Sequence, residues 1–291
     1  MQYRHAFHAG NFADVHKHIA LLQLIEALQK KAKGFFFLDT HAGAGLYDLD
    51  SEDARHGSES GGGISRLLAA PEQDIPQGPI RNYLAAIKRI RQAHGGRRLH
   101  PGSPLLAAAA LRNVDSAACV ESQAPVARLL QRTLDGSALL LQQQPLVVHA
   151  DGYRELKARL PPASRRGLVL IDPPYESAGE EQQLTTALHE GLLRFETGVF
   201  AVWYPIKKER DSDLMTLRVV RGIRRPVLAA EFCLHLADNT AALNGSGLLV
   251  VNPPWEFDSA VHAWQVQLEH LLGAQGGSRL RWLVREARPA T

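Results

Sequence analysis

The chain has 291 residues, of which 45% are hydrophobic and 22% charged, and its formal net charge is +3. This length allows one large α/β domain or one domain with an insert, and the composition is ordinary for a soluble globular protein. The two cysteines, Cys119 and Cys233, each fall in a predicted apolar strand, which favours buried thiols over a disulfide framework or a metal site. No apolar run approaches the ~18 residues that a bilayer span needs, and no signal-peptide pattern opens the chain, so we expect a cytoplasmic protein.

Basic side chains cluster in several segments. The largest cluster is Arg81, Lys88, Arg89, Arg91, Arg97 and Arg98, and smaller ones are Arg165-Arg166, Lys207-Lys208-Arg210 and Arg221 to Arg225. Such clusters can neutralise the phosphates of RNA or DNA, but most are only solvated faces. Charge alone therefore leaves a nucleic-acid partner open.

The first predicted elements are a helix and a strand. Asn11 is a typical N-cap for a helix that carries Lys17 and His18 near its start. A buried strand over 35–39 then runs into Thr40-His41-Ala42-Gly43-Ala44-Gly45. A Gly-x-Gly turn after a strand lets the backbone approach a nucleotide, so this is a candidate cofactor loop. Asp48 stands where the dinucleotide-binding pattern has its third glycine, which counts against a dehydrogenase.

Residues 50–104 interrupt the alternation of strands and helices. Ser58 to Ser65 contains three consecutive glycines and is predicted to be a mobile loop, while helical periodicity runs over 79–94. We therefore predict a main α/β domain made of 1–49 and 105–291, with an inserted, mostly helical subdomain over 50–104.

Acidic residues follow the next two predicted strands. Glu121 ends the strand over 117–120, and Asp151-Gly152 follows the strand over 146–149. Carboxylates at the carboxyl ends of such strands can accept hydrogen bonds from the ribose hydroxyls and the adenine amino group of a nucleotide. Both acids also precede helical patterns, so helix capping is an equal alternative.

The sharpest local signal is the apolar run 168–171, which stops at Asp172-Pro173-Pro174-Tyr175. Four apolar residues without alternation predict a strand that is covered on both faces, and the prolines must end it. Asp172 and the adjacent proline carbonyl can accept both hydrogens of an exocyclic amino group, and Tyr175 can stack on the base. The tetrapeptide resembles the pattern of amino-methyltransferases that use S-adenosylmethionine. The alternative is a Pro-Pro turn with an acid that caps the next helix.

Three more strands are predicted over 198–203, 227–236 and 247–251, which gives a seven-stranded sheet. A short connection before the last one predicts a hairpin, so one strand runs antiparallel to the rest. Asn252-Pro253-Pro254-Trp255 also fits the amino-methyltransferase pattern, but it follows the strand predicted to be antiparallel, at the opposite edge of the sheet. A helix over 261–272 and a closing strand near 280–284 are predicted to complete the chain.

Together these motifs resemble the RlmJ family of bacterial enzymes, which methylate N6 of an adenine in 23S ribosomal RNA. The segments that carry the resemblance are Tyr3 to Asn11 with Lys17-His18, Leu38 to Gly45, Pro101-Gly102-Ser103-Pro104, Ala150-Asp151-Gly152, Asp172 to Tyr175 and Trp203-Tyr204-Pro205. The resemblance implies a Rossmann-like class I methyltransferase fold, S-adenosylmethionine as the methyl donor and 23S ribosomal RNA as the substrate.

The resemblance also implies roles for individual residues. Asp172 corresponds to the catalytic carboxylate, which also lies beside the cofactor. The family's positions for contacts to S-adenosylmethionine correspond to His18, His41, Ser103, Glu121, Asp151, Gly152 and Asp172. Tyr3 corresponds to a position implicated in the RNA substrate, and His5 and Lys17 would line the same pocket. His41 could then bind the carboxylate of the cofactor, with the positive charge of Lys17 nearby.

These residues predict direct in-line methyl transfer by a monomer, without a metal ion and without a covalent enzyme intermediate. A DNA adenine-N6 methyltransferase would share the same loop and tetrapeptide, and a noncatalytic RNA-binding module could share the fold. The sequence leaves three points open: the target adenine, the role of the glycine-rich loop, and whether the substrate is protein-free RNA or an assembly intermediate.

Overall fold

The computed structural model describes residues 8–52, 59–236 and 243–285. Strands and helices alternate along most of the chain, as the hydrophobic runs predict. The helices are α1 (Phe12–Gln29), α2 (Ile64–Ala69), α3 (Pro79–Ala93), α4 (Ser103–Ala110), α5 (Ala124–Gly136), α6 (Gly152–Arg159), α7 (Glu180–Arg194), α8 (Glu209–Val220) and α9 (Phe257–Leu272). The strands are β1 (Phe36–Asp39), β2 (Leu46–Asp48), β3 (Leu99–Pro101), β4 (Ser116–Glu121), β5 (Leu146–His149), β6 (Gly167–Ile171), β7 (Val199–Ile206), β8 (Val227–Cys233), β9 (Gly245–Val251) and β10 (Gly277–Val284).

One sheet organises the molecule, with the strand order β10-β8-β9-β7-β6-β1-β4-β5. The five strands β5, β4, β1, β6 and β7 are parallel, and β9 pairs antiparallel with both β7 and β8. The predicted α/β fold with an antiparallel strand late in the chain is therefore confirmed. The sheet has eight strands rather than seven, because the closing strand β10 pairs antiparallel with β8 and extends that edge.

Helices cover both faces of the sheet. The apolar side chains of α1, α3, α4, α5 and α9 belong to one buried cluster, and those of α6, α7 and α8 to another. Every residue of β6 is buried, which explains why its sequence lacks the alternation of a half-exposed strand. Within the described residues, none of the helices combines the length and the apolar character needed to cross a membrane.

Helix α1 is the element that brings polar groups into the interior. Asn11 caps it by accepting a hydrogen bond from the Asp14 backbone N–H at 2.9 Å. The helix packs against α3, α4, α9 and β9, so it is enclosed on several sides. His16, Lys17 and His18 are therefore all buried, although each is polar.

The segment from 49 to 98 leaves and rejoins the main fold through an antiparallel pair of short strands, β2 and β3. The predicted helix is present as α3, and its apolar face joins the same buried cluster as α1. Gly63 lies so close to the backbone of Gly10 that a Cβ there would be 2.3 Å from the Gly10 oxygen. This segment shares its buried cluster with the rest of the fold, and that does not set a domain boundary. The inserted subdomain over 50–104 therefore stays a prediction.

Candidate active site

A cavity of about 560 Å³ opens at the carboxyl ends of β1, β4 and β6. The chain order of the strands reverses between β1 and β6, and open α/β sheets bind ligands at such a switch point. The residues that line it come from α1, the loop after β1, β2, the start of α4, the end of β4, α5 and the turn after β6. Its polar and glycine lining includes Lys17, His18, His41, Gly43, Asp48, Ser51, Gly102, Ser103, Glu121, Ser122, Gln123, Asp172 and Glu176.

The glycine turn after β1 forms one wall of this cavity. Gly43 and Gly45 have φ values of +64° and +79°, a region that residues with a Cβ rarely adopt. The Gly43 N–H donates to Glu121 Oε2 at 3.0 Å, and the Gln123 N–H donates to Glu121 Oε1 at 2.8 Å. The turn and the end of β4 are thereby held together, with the Glu121 carboxylate at the cavity wall.

Asp172 lies on the same cavity and is bound to a buried lysine. Lys17 Nζ is 2.6 Å from Asp172 Oδ2 and 2.9 Å from Asp14 Oδ1. Burial alone lowers the pKa of Lys17, but the charges of Asp14 and Asp172 outweigh it and hold the pKa well above its ordinary value. The ammonium is also 5.7 Å from the centre of the Trp203 ring, within the range of a cation–π contact. Lys17 therefore remains charged and fixes one oxygen of Asp172.

A second carboxylate, Asp39, lies behind the cavity wall at the end of β1 and is fully buried. The Ser103 hydroxyl donates to Asp39 Oδ2 at 2.6 Å, and the His41 N–H donates to Oδ1 at 3.3 Å. Burial raises the pKa of Asp39 to about 7, the hydrogen bond from Ser103 opposes this shift, and the charge of Asp172 adds to it.

Tyr175 is held by a network that reaches back to α1. Its backbone has a φ of +53°, and its hydroxyl donates to the Trp203 carbonyl oxygen at 2.7 Å. The Trp203 indole donates to Ser246 Oγ at 3.0 Å, and the same oxygen lies 3.0 Å from His16 Nδ1. Gln265 Nε2 lies 2.9 Å from His16 Nε2. Because an amide nitrogen can only donate, His16 accepts at Nε2 and donates from Nδ1.

Comparison with known proteins connects this geometry to a family. The family model described as "Ribosomal RNA large subunit methyltransferase D, RlmJ" matches residues 32–284. Ribosomal RNA large subunit methyltransferase J of Escherichia coli is 37% identical over 98% of this chain and 100% of its own length, and that of Haemophilus influenzae is 36% identical with the same coverage. The chain belongs to the RlmJ family. A crystal structure of a Legionella pneumophila protein is 31% identical to this RlmJ-family chain, covers 94% of it and 97% of its own chain, and has a TM-score of 0.80.

In this member of the RlmJ family, the sequence-predicted residues divide into three groups. The cavity brings together Lys17, His18, His41, Ser103, Glu121 and Asp172. Asp151, Gly152 and Tyr175 do not line it. Asp151 instead caps α6 by accepting hydrogen bonds from the Tyr153 and Arg154 N–H groups at 2.9 and 3.1 Å, as the capping alternative predicted. Tyr3 and His5 lie outside the described residues.

Two placements differ from the sequence expectation in detail. Lys17 does not offer an unbalanced positive charge to a ligand, because two carboxylates already surround it. Tyr175 is not part of the cavity lining, although its neighbours Pro174 and Glu176 are. Stacking of Tyr175 on a base therefore stays a prediction.

Cys119 is buried, as expected, whereas Cys233 is only partly buried.

The second Pro-Pro segment is a structural turn. Strand β9 runs antiparallel to β7, so Asn252 lies at the edge of the sheet opposite to the cavity. The Asn252 side chain donates to the carbonyl oxygens of Glu196 and Gly198, both at 2.8 Å. These bonds tie the end of β9 to the start of β7, which accounts for the asparagine without any catalytic role.

Sequence reasoning missed Asp14, Asp39 and the network of His16, Ser246 and Gln265 that reaches Trp203. The spacing of Asp14 and Lys17, three residues apart on a helix, could have indicated an ion pair. Asp39 ends a buried strand in the same way as Asp172, so the strand-end rule applied to it as well. Among the described residues, no group of three or more histidine, cysteine, aspartate or glutamate side chains could hold a metal ion.

Proposed function

We propose that this chain transfers a methyl group from S-adenosylmethionine to N6 of an adenine in 23S ribosomal RNA. Membership of the RlmJ family supports the reaction and the substrate class. The observation that carries the assignment to these residues is that Asp172 and the Gly43 turn border one cavity. The donor and the acceptor of the methyl group can therefore meet there.

The residues of the cavity suit a cationic nucleoside. S-adenosylmethionine would supply the methyl group from its positively charged sulfur. Asp48, Glu121, Asp172 and Glu176 give the lining a negative charge. Glu121 accepts two backbone hydrogen bonds, and its remaining lone pairs can accept from the ribose hydroxyls. We assign cofactor binding to His18, His41, Ser103, Glu121, Asp172 and, beside α6, Asp151 and Gly152.

Asp172 is the proposed catalytic residue. Its Oδ2 is held by Lys17, and among the described residues none hydrogen-bonds its Oδ1. That oxygen can accept a hydrogen bond from the adenine amino group and orient the nitrogen lone pair towards the methyl group. The carboxylate stabilises the positive charge that develops on nitrogen during transfer and accepts the proton afterwards. Lys17 acts here as the group that fixes the direction of the carboxylate.

The adenine must leave its stack to reach this position, which is easier in irregular or single-stranded RNA than in a duplex. Tyr175 would then stack on the base, and Tyr3 and His5 would contact the RNA beside Lys17. We further propose that the enzyme acts as a monomer, on protein-free 23S ribosomal RNA or an early assembly intermediate, in the cytoplasm where that RNA is made.

The test is to incubate the protein with isotopically labelled S-adenosylmethionine and either protein-free 23S ribosomal RNA or duplex DNA, and to analyse the digested nucleosides by mass spectrometry. We expect labelled N6-methyladenosine from the RNA only, and its loss in Asp172→Ala at an unchanged fold. Methylation of duplex DNA alone would instead indicate a DNA enzyme. RNA binding without transfer and without calorimetric binding of the donor would indicate a noncatalytic module.

A further inference from the structure

Two side chains on the cavity wall have their hydrogen positions fixed by groups behind them. The first is Ser103, whose oxygen lies 2.6 Å from Asp39 Oδ2. An ionised carboxylate can only accept, so while Asp39 is charged the Ser103 proton must point at it. The lone pairs of the hydroxyl are then the part of Ser103 that is left for a ligand.

The second is His41, whose Nδ1 lies 2.8 Å from Thr40 Oγ1. That hydroxyl is also 3.0 Å from the Leu170 carbonyl oxygen. Both contacts contain a proton only if Thr40 donates to Leu170 and His41 donates from Nδ1 to Thr40; the other tautomer would leave two oxygens facing each other. Burial lowers the pKa of His41, so the ring is neutral near pH 7. Its Nε2 is then a hydrogen-bond acceptor.

Ser103 and His41 therefore both offer acceptors, and both are tied to Asp39, one through its hydroxyl and the other through its backbone N–H. We propose that Ser103 Oγ and His41 Nε2 receive the ammonium group at the amino-acid end of the methyl donor, and that Asp39 is the positioning residue that makes Ser103 an acceptor. This inference rests on the proposed use of S-adenosylmethionine. It assigns His41 to the ammonium group rather than to the carboxylate expected from the sequence.

A proton is linked to this arrangement. In the absence of a cation beside Ser103, Asp39 is partly protonated near neutral pH, because its pKa is about 7. Binding of the ammonium group favours the ionised form, in which Ser103 must donate inward, so binding releases the proton to solvent. The charged or titratable groups that face Asp39 are Lys17 on α1, Asp172 after β6 and Cys119 on β4. Lys17 and Asp172 are paired with each other.

The experiment is calorimetry of S-adenosylmethionine binding to the full-length protein in phosphate and in Tris, whose ionisation enthalpies differ. At pH 7 we expect the release of about half a proton from Asp39 per ligand, rising towards one at pH 6 and vanishing at pH 8. The ligand amine also titrates, near pH 8. Asp39→Asn isolates the contribution of Asp39, because it leaves the ligand amine unchanged.

Asp39→Asn should bind roughly 10- to 100-fold more weakly, since the amide donates to Ser103 and turns its proton towards the ammonium group. Its proton release should lack the Asp39 contribution. Asp115→Asn is the matched control: Asp115 is equally buried, but it accepts from the Phe35 N–H at the opposite end of the sheet. It should lower stability without altering the proton release.

The ligand provides a test that does not depend on a folded variant. A donor analogue with hydrogen in place of the α-amino group should bind wild type more weakly, release no proton from Asp39, and be insensitive to Ser103→Ala. Equal effects of Ser103→Ala on both ligands, or unchanged proton release in Asp39→Asn, would overturn the proposal. Failure of wild type to bind S-adenosylmethionine at all would instead refute the proposed function.

Discussion

The ion pair between Lys17 and Asp172 makes a specific prediction for Asp172→Asn. An asparagine keeps one acceptor oxygen, and asparagine occurs at this position in the general amino-methyltransferase pattern. On these grounds alone the Asp172→Asn variant would be expected to retain activity, but the contact with Lys17 predicts the opposite. Here Lys17 Nζ lies 2.6 Å from Asp172 Oδ2. The amide oxygen must face that ammonium, since the amide nitrogen would set donors against donors. The NH₂ group then faces the cavity, where it opposes the amino group of the adenine.

The size of the effect follows from these contacts. A hydrogen bond to a charged group contributes about 1.5–3 kcal/mol, so the wrong orientation of the amide is favoured by roughly 10- to 100-fold or more. We expect Asp172→Asn to lose roughly 10²–10³-fold in the rate of transfer, close to the loss in Asp172→Ala. The fold should survive both changes, with a cost of about 1–2 kcal/mol, because Lys17 keeps its contact to Asp14 at 2.9 Å.

The deciding measurement is a double-mutant cycle in single-turnover methylation of ribosomal RNA with labelled donor. Without Lys17 the amide can rotate and present its oxygen to the adenine. The loss from Asp172→Asn should therefore be at least about tenfold smaller in a Lys17→Met background than in wild type. The cycle cancels any separate contribution of Lys17, and thermal melts verify folding. Equal losses in both backgrounds, or a single Asp172→Asn variant within tenfold of wild type, would refute the orientation argument.

Three further predictions concern the interior. The pKa of His16 is about 3 and that of Asp39 is about 7. Between about pH 4 and 6.5, folding therefore releases a proton at His16 and binds a proton at Asp39. These two effects on the pH dependence of stability cancel in wild type. The free energy of unfolding, measured by urea titration, is compared with that of wild type at each pH. For each unit by which the pH decreases, the difference should rise by roughly 1.4 kcal/mol for His16→Gln and fall by the same amount for Asp39→Asn. Trp203→Phe removes one donor to Ser246 but keeps the carbonyl that holds Tyr175, so it should lose about 1 kcal/mol in thermal melts with little change in methylation rate. Gly152→Ala places a Cβ 2.0 Å from a backbone oxygen of the loop after β1, and a lowered melting temperature should report a loss of about 2 kcal/mol.

The sequence predicted most of the sheet because its strands are continuous apolar runs bounded by turn residues. The run 168–171 lies in β6 as predicted, and the antiparallel β9 follows from the short connection before it. The pair β2–β3 was not predicted. Each of these strands has three residues, and they pair across about fifty residues of intervening chain, so no local periodicity marks them.

The site was predictable where a single strand end carries the chemistry, as at Glu121 and Asp172. It was not predictable where function depends on contacts between distant segments. His16 and Gln265 are 249 residues apart along the chain, yet their Nε2 atoms lie 2.9 Å apart in the fold. Such a contact depends on the packing of α9 against α1, and no spacing in the sequence encodes it. The same holds for Lys17, which resembles a solvent-facing lysine until α1 is enclosed on several sides.

The charges around the cavity also indicate how one site can favour the methyl donor over its product. Asp14, Lys17 and Asp172 together carry one net negative charge, and Asp48, Glu121 and Glu176 add to it. A ligand with a positive sulfur is attracted by this field, whereas the neutral thioether left after transfer is attracted less. The proton linked to Asp39 does not distinguish the two ligands, because the donor and the product carry the same ammonium group. The preference for the donor therefore rests on the charge of its sulfur, and on acids that end neighbouring parallel strands or flank them.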